Sequence, residues 1–443
     1  MRAFIASSIG VTCAVFLALP SAVPAGAVPD TAPAESVEPP DVPGSTQSLP
    51  LSPLPAPSGR ATGESTRTAE AAEQGLSEHE VRPFSLVGVV WDDVDTELHG
   101  TVQVRTRAIG TTRWSDWQDL ETHNAEHAAD PGSAERESGT VRGSTAPLWV
   151  GDSDGVAVRV RPESTDPQDR NAPAVPLPTG LRLELVDPGK DPQPLPAAGA
   201  GAGDTGDGRT TPLDGSVLPA LSKAETEARS EAEAGLAPGA QPYIGPRPRI
   251  ITRKGWGADE KLRERGFVYT KSVKAAFIHH SATGNNYKCT QAPAVLRGVY
   301  RYHVKSAGWR DIGYNFAVDK CGNIYEARAG GVTKAVLGAH TRGFNSNSTG
   351  IAVLGTFTGS NPPAAAVNAI AKLTAWKLGL FGADPRGRTT LVSGGGNKFK
   401  KGKKAELNVI SGHRDAFATE CPGARLYKKL GSARTSSAHL QGR

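Results

Sequence analysis

The sequence has few cysteines, few aromatic residues and only one long apolar run. It contains four cysteines among 443 residues, and aromatic residues make up 6% of the chain. The apolar run, residues 3–19, lies at the N-terminus, and no later segment is long and apolar enough to suggest a membrane span. No basic stretch carries interleaved aromatic residues, which argues against a nucleic-acid partner. The sequence therefore predicts a chain without a membrane span and without bound nucleic acid.

The N-terminal apolar run has the pattern of a secretory signal peptide. Arg2 supplies a positive charge ahead of the run, and residues 25–27 offer small side chains for cleavage. Pro20 and Pro24 interrupt the apolar character where a membrane helix would have to continue. We therefore predict a signal peptide at residues 1–27 and a secreted mature protein.

Composition then divides the rest of the chain into segments. Residues 28–80 are rich in Pro, Ala, Ser and Glu and have almost no aromatic residues, which predicts disorder because too little apolar surface can be buried. Residues 81–187 contain short β-type runs that alternate apolar and polar side chains, such as 101–107 and 181–186. We predict an all-β, sandwich-like domain there, a domain that folds alone and serves targeting rather than chemistry.

Two tryptophans, Trp114 and Trp117, lie between the predicted strands of this domain. They could close a hairpin or fill the edge of the sandwich, or they could form a platform for a sugar ring. The sequence leaves both interpretations open.

The C-terminal half begins after a second low-complexity segment. Residues 188–245 are built from Pro, Ala, Gly and Glu and are typical of a linker. Residues 246–431 alternate apolar strand patterns with helical patterns, including helices predicted at 291–305 and 363–378. We therefore predict an α/β domain with a mixed central sheet flanked by helices, followed by a tail at residues 432–443.

Two histidine motifs and one cysteine stand out in this C-terminal block. His279 ends an apolar run, and His413 precedes Cys421 by eight positions. Imidazole and thiolate both suit Zn²⁺, and three protein ligands leave a fourth position for water, as in catalytic zinc sites. The spacing is not the CxxC of a structural zinc knuckle. The same residue types also occur as ordinary core or polar residues, so the neighbouring motifs must decide.

The remaining cysteines predict a disulfide. Cys13 lies in the signal peptide, and Cys421 belongs to the candidate metal site. An exported protein permits disulfides, so we predict a bond between Cys289 and Cys321. The alternative is that both are free, buried thiols.

Six short motifs in the C-terminal block occur in an order that resembles one known family. The chain resembles the peptidoglycan recognition proteins, and among them the zinc-dependent N-acetylmuramoyl-L-alanine amidases of type 2. The resemblance covers about residues 246–430. The motifs are RKGWGA (253–258), FIHHSA (277–282), WRDIGYNF (309–316), GNIYE (322–326), GAH (338–340) and GHRD (412–415).

The resemblance implies roles for particular residues. It implies that His279, His413 and Cys421 bind Zn²⁺. It also implies that Tyr314 is catalytic. We expect Thr419 to be catalytic as well: it stands where phage-type enzymes have lysine and many recognition-protein amidases have threonine, and its hydroxyl could donate to the same oxygen as Tyr314. His340 and Asn345 match a loop that lines the family's substrate groove, so we expect them to contact substrate.

The implied activity is hydrolysis of the amide bond between N-acetylmuramic acid and L-alanine in peptidoglycan. We expect a monomer that acts at the bacterial cell wall, outside the cell. A second interpretation is a non-catalytic peptidoglycan-binding protein, in which zinc is structural or absent. Family members that only bind peptidoglycan typically lack the cysteine ligand, and this chain has Cys421. The preferred stem peptide, with diaminopimelate or lysine, stays open.

Overall fold

The computed structural model describes residues 44–55, 73–166, 168, 172–191, 215–234, 239 and 242–443. The predicted signal peptide lies outside these residues, as do parts of the segments predicted to be disordered or linker. Among the described residues, no helix is long and apolar enough to cross a membrane.

The N-terminal domain is built on one eight-stranded antiparallel sheet. Six of its strands lie in the order β1-β8-β3-β7-β4-β5, and the two short strands β2 and β6 both pair with β3. The all-β prediction is confirmed, but the strands form one continuous hydrogen-bonded sheet, because the long β3 pairs with β2, β6, β7 and β8 along its length. The strands are β1 (Ser45–Pro50), β2 (Ser52–Pro53), β3 (Gln74–Trp91), β4 (Gly100–Ala108), β5 (Gln118–Leu120), β6 (Gly143–Ser144), β7 (Leu148–Pro162) and β8 (Arg182–Asp187).

The N-terminal boundary of this domain differs from the prediction. β1 and the first part of β3 lie within residues 28–80, where the sequence predicted disorder. β1 pairs along its whole length with β8, and Leu51 reaches the core. A strand added to an existing sheet obtains its hydrogen bonds from its neighbour, so it needs little apolar surface of its own. Composition alone could not show that pairing.

The tryptophans Trp114 and Trp117 stack with arginines on the surface of this sheet. The guanidinium of Arg105 lies 5.4 Å from the ring of Trp114 and 5.0 Å from the ring of Trp117. Arg159 lies 4.1 Å from the ring of Trp117. These contacts are cation–π interactions that cover the aromatic faces. They favour a structural role for the two tryptophans at the surface of the sheet.

The C-terminal domain has a seven-stranded mixed sheet in the order β17-β11-β14-β12-β13-β10-β9. β11 runs parallel to β14 and β17, and β12 runs antiparallel to β13. β15 and β16 form a separate hairpin. The strands are β9 (Val217–Leu218), β10 (Ile250–Ile251), β11 (Ala275–His280), β12 (Phe316–Val318), β13 (Ile324–Glu326), β14 (Ser348–Val353), β15 (Arg388–Val392), β16 (Lys404–Asn408) and β17 (Ile410–Gly412).

Helices pack on both faces of this sheet. Alternate residues of β14 face opposite sides: Ile351 and Val353 pack in the cluster that contains α4, and Ala352 packs in the cluster that contains α3. The helices are α1 (Lys223–Ala234), α2 (Arg253–Trp256), α3 (Ala292–Arg301), which continues into a π-helical turn (Tyr302–Ser306), α4 (Ala364–Gly379), α5 (His413–Ala416), α6 (Ala424–Tyr427) and α7 (Leu430–Gln441). A disulfide joins Cys289, just before α3, to Cys321, in the turn between β12 and β13.

The predicted tail is part of the folded domain. α7 covers most of residues 432–443, and Ala433 and Ala438 on it are buried. Its Ser437 hydroxyl lies 3.1 Å from the hydroxyl of Thr374 on α4. Small side chains allow the two helices to approach closely, a contact that the low hydrophobicity of this segment did not suggest.

The two domains share a hydrophobic core. Leu86 and Val186 of the β domain pack in one buried cluster with Val295 and Val299 of α3. The hydroxyl of Tyr302 lies 3.2 Å from the carbonyl oxygen of Val89. The sequence predicted a β domain that folds alone, whereas the structure buries one of its faces against α3.

Candidate metal centre

The three predicted metal ligands converge at one edge of the C-terminal sheet. β11 pairs with β17 so that Ile278 lies opposite Gly412, which places the following residues, His279 and His413, side by side. Both imidazoles are fully buried, and Cys421 is 2% exposed. The Nδ1 atom of His279 lies 3.7 Å from the Sγ atom of Cys421.

A short loop returns the chain from His413 to Cys421. The backbone N–H of Arg414 donates to the carbonyl oxygen of Cys421 at 3.0 Å and closes this loop. The carboxylate of Asp415 accepts from the backbone N–H of Gly412 at 2.9 Å and from the hydroxyl of Tyr427 at 2.5 Å. These bonds hold the histidine and the cysteine on the same side of the loop, although eight positions separate them.

A fourth candidate ligand comes from the N-terminal domain. The Nε2 atom of His127 lies 3.3 Å from Sγ of Cys421 and 3.3 Å from Nδ1 of His413. His127 belongs to the connection between β5 and β6, residues 121–142, which we name the plug segment. The ligand atoms of His127, His279, His413 and Cys421 all lie within 4.8 Å of one another.

The sequence patterns did not indicate His127 as a metal ligand. No motif surrounds it, and the C-terminal resemblance does not reach it. The available signal was a long connection between two strands, since connections of more than about 15 residues without regular structure are often functional.

The four ligand atoms fit a zinc ion. With Zn–N bonds of about 2.0–2.1 Å and a Zn–S bond of about 2.3 Å, a tetrahedral site separates two nitrogens by about 3.3 Å and a nitrogen from a sulfur by about 3.6 Å. In the structure, Nδ1 of His413 lies 3.3 Å from Nε2 of His127. The Sγ atom of Cys421 lies 3.3 Å from Nε2 of His127 and 3.7 Å from Nδ1 of His279. Imidazole and thiolate are the ligand types that Zn²⁺ prefers. The residues present therefore suit this metal.

Burial sets the protonation of these side chains. It lowers the pKa of His127, His279 and His413 well below the usual value, which keeps the imidazoles neutral and able to coordinate. Burial raises the pKa of the Cys421 thiol well above its usual value. A divalent cation at this position reverses that preference, because a coordinating thiol loses its proton.

An outer layer of polar side chains surrounds the ligands. The Nε2 atom of His279 lies 3.3 Å from Nδ1 of His340 and 3.3 Å from the hydroxyl of Thr341. Such contacts fix the ring orientation of a metal-binding histidine. His280 faces the opposite side of β11, where its Nδ1 accepts from the backbone N–H of Phe357 at 3.3 Å.

The structure buries both residues that were expected to contact substrate. His340 has no exposed surface, and Asn345 is 1% exposed. The Asn345 side chain accepts from the backbone N–H of His340 and donates to Ala128 and Asp130 of the plug segment. A role in substrate binding therefore stays a prediction.

Tyr314 and Thr419 flank the cluster. The centroid of the Tyr314 ring lies 5.5 Å from the centroid of the His279 ring and 6.0 Å from that of the His127 ring. Burial raises the pKa of Tyr314 well above its usual value, so the phenol keeps its proton. The hydroxyl of Thr419 donates to the carboxylate of Glu126 at 2.6 Å. Burial raises the pKa of Glu126 to about 7.

Comparisons with known proteins agree with this architecture. Residues 269–424 match the N-acetylmuramoyl-L-alanine amidase family, and residues 32–177 match a family described as Rv3811 N-terminal galactose-binding domain-like. Peptidoglycan-recognition protein SC2 of Drosophila melanogaster is 33% identical over 183 residues, which span 41% of this chain and 84% of that protein. Human N-acetylmuramoyl-L-alanine amidase is 31% identical over 186 residues, which span 41% of this chain and 28% of that protein.

Solved structures of the same group also match. Drosophila peptidoglycan-recognition protein LB is 26% identical, with a TM-score of 0.33, over 41% of this chain and 92% of that one. Peptidoglycan recognition protein LE in complex with tracheal cytotoxin, a monomeric diaminopimelic acid-type peptidoglycan, is 31% identical, with a TM-score of 0.33, over 41% of this chain and 92% of that one. The 33% identity to peptidoglycan-recognition protein SC2 over 84% of that protein, together with the family match over residues 269–424, leads to one assignment: this chain belongs to the family of peptidoglycan-recognition proteins and type 2 N-acetylmuramoyl-L-alanine amidases.

Proposed function

We propose that this protein is a zinc-dependent N-acetylmuramoyl-L-alanine amidase. The observation that carries the proposal is the convergence of His279, His413 and Cys421, all buried, beside the protonated phenol of Tyr314. These three side chains would hold the metal. Zinc supplies a Lewis acid and an activated water for attack on the amide carbonyl.

The chain's own side chains supply the rest of the chemistry. Tyr314 keeps its proton because of burial and because the Cys421 and Glu126 side chains disfavour a phenolate beside them. It can therefore donate a hydrogen bond to the oxygen that gains negative charge in the transition state. The hydroxyl of Thr419 can donate to the same oxygen when it is released from Glu126. His340 and Thr341 hold the ring of His279 in place.

The substrate in this proposal is peptidoglycan, which places the site of action outside the cell, at the bacterial wall. One relative supports that choice: the human protein that is 31% identical over 186 residues is itself an N-acetylmuramoyl-L-alanine amidase. The predicted signal peptide agrees with export. We propose that the protein acts as a monomer.

A second candidate function is peptidoglycan binding without catalysis. His127 favours it, because structural zinc sites have four protein ligands whereas catalytic sites keep one position open. Tyr314 beside the cluster favours the enzyme, since a purely structural site needs no proton donor.

The deciding experiment uses the zinc-loaded full chain and a soluble muropeptide, N-acetylmuramic acid linked to a tripeptide. The amidase releases a free peptide with an L-alanine amino terminus and an intact sugar, which mass spectrometry identifies. The assay includes the His127→Ala variant, because the imidazole of His127 lies where a fourth ligand would bind the metal. Binding without either product, in both proteins, would contradict the proposed activity and favour the recognition protein.

A further inference from the structure

We propose that the plug segment keeps this amidase latent, with His127 as a fourth protein ligand of the zinc ion. The inference rests on the proposed function, because latency presupposes an activity. It also concerns a residue outside the part of the chain that matches the amidase family, residues 269–424. Three independent observations carry it: the position of His127, the partner of Thr419, and the space left beside the metal centre.

The position of His127 is that of an inner ligand. Its Nε2 atom lies 3.3 Å from Nδ1 of His413, the separation expected between two nitrogen ligands of one tetrahedral zinc ion. The same atom lies 3.3 Å from Sγ of Cys421, where about 3.6 Å is expected between a nitrogen and a sulfur ligand. His127 is 6% exposed. A fourth protein ligand at this distance fills the position that water and substrate need in a catalytic zinc site.

Glu126, next to His127, engages the hydroxyl of Thr419, a second group to which the proposal gives a catalytic role. Glu126 accepts a hydrogen bond from the hydroxyl of Thr419 at 2.6 Å, and its backbone carbonyl accepts from the N–H of Arg342 at 2.8 Å. Thr419 lies two positions before the cysteine ligand, where its hydroxyl also accepts from the backbone N–H of Cys421. Glu126 and His127 thus engage adjacent parts of the centre from the same short stretch of chain.

The cavity that the described residues leave beside the centre is too small for a substrate. It is bordered by Tyr314, Thr419 and Cys421 and has a volume of about 10 Å³. That is about the minimum for one water molecule, whereas ligand sites typically measure about 300–1,000 Å³. A sugar linked to a peptide cannot reach the metal unless the plug segment moves.

Buried polar contacts hold the plug segment in this position. The carboxylate of Asp130 accepts from the backbone N–H of Gly343 at 2.7 Å and from the side chain of Asn345 at 2.6 Å. Farther along, Glu135 forms a two-bond ion pair with Arg328, at 2.6 and 3.0 Å, and both side chains are buried. Several specific contacts to the amidase domain distinguish the segment from a loop that merely passes over the surface.

The first test is spectroscopic and needs no turnover. We load the full chain with Co²⁺ in place of zinc and titrate it with thiocyanate, a small anion that binds an open metal position. In the wild type, we expect the visible absorption to remain unchanged, because His127 fills the fourth position. The His127→Ala variant should shift its absorption on titration. His99→Ala, which removes an exposed histidine of the same domain, is the matched control and should behave as the wild type.

A second measurement avoids any folding defect in the variant. X-ray absorption of the zinc-loaded wild type should show three imidazoles and one sulfur around the metal. Two imidazoles, one sulfur and one oxygen ligand, or a wild-type Co²⁺ protein that binds thiocyanate as readily as His127→Ala, would overturn the proposal.

Turnover of the soluble muropeptide separates this inference from the proposed function. We expect His127→Ala to exceed the wild type by at least about tenfold, since only the open fraction of the wild type can react. A wild type that is as active as the variant, or more active, would refute latency and leave the amidase proposal intact. If neither protein hydrolyses the muropeptide while the metal in the wild type has three imidazole ligands, the proposed amidase activity is refuted. The assignment of His127 as a fourth ligand is then retained.

Discussion

The Nε2 atom of His127 lies 3.3 Å from the Sγ atom of Cys421, although 294 positions separate the two residues. One belongs to the β domain and the other to the amidase domain. Because a metal held by both residues binds more tightly when the two domains are docked, metal affinity and docking are thermodynamically coupled.

We predict that the chain holds about one zinc ion, because the residues that the structure describes form one cluster of candidate metal ligands. Zinc should raise the thermal unfolding temperature, because it binds the folded state and not the unfolded one. His413→Ala removes one of the four candidate ligands, so it should bind zinc more weakly and lose part of this increase. His439→Ala removes an exposed histidine on α7 and should change neither quantity. Zinc titration and calorimetry measure the affinity and the unfolding temperature, and an unchanged zinc affinity in His413→Ala would refute its role as a ligand.

The sequence predicted the ligands of the C-terminal domain because they lie in local patterns. His279 ends an apolar strand, and His413 follows the last strand of the same sheet. Local hydrophobic patterns also indicated α3 and α4. These features depend on side chains within a few positions of one another, which is the range over which sequence patterns are informative.

What the sequence could not predict depends on contacts between distant segments. His127 reaches the metal centre only because the β domain docks on α3, and no local pattern encodes that docking. β1 is stabilised by pairing with β8, and α7 by packing on α4, so their own low hydrophobicity suggested disorder and a tail. In each case the partner supplies the stabilising contacts.

The buried ion pair between Glu135 and Arg328 predicts a large loss of stability on truncation. Both side chains are less than 10% exposed, and Glu135→Ala leaves the Arg328 charge buried without its carboxylate partner. We expect the free energy of unfolding to fall by about 3–5 kcal/mol, measured by urea denaturation.

Glu137→Ala, which truncates an exposed carboxylate of the same segment, is the control and should change stability by less than about 0.5 kcal/mol. Combining Glu135→Ala with Arg328→Met should recover part of the loss, because the buried charge is then absent. A cost below about 1 kcal/mol for Glu135→Ala would mean that water reaches Arg328.

A single methyl group at Gly88 should disturb the domain interface. A Cβ atom there would lie 2.4 Å from the hydroxyl oxygen of Tyr302, which is fully buried between the domains. Overpacking of this kind typically costs about 1–3 kcal/mol, so Gly88→Ala should lower the urea midpoint. Gly359→Ala is the control, since a Cβ atom there meets no atom within 4 Å. Equal urea midpoints for the two variants would show that Tyr302 can move away from the added methyl group without loss of stability.

The last prediction tests the role of Tyr314 in the His127→Ala background, where the proposal leaves the metal open. Tyr314→Phe removes one hydroxyl and keeps the ring beside His279, so zinc content should not change. If the phenol donates to the developing oxyanion, kcat should fall by about 10²- to 10⁴-fold. KM should change little, because the interaction strengthens as charge develops. Thr419→Val should lower kcat less, and Tyr243→Phe, at an exposed position, should not lower it. Normal kcat in Tyr314→Phe, with zinc bound, would make Tyr314 a packing residue and require another proton donor.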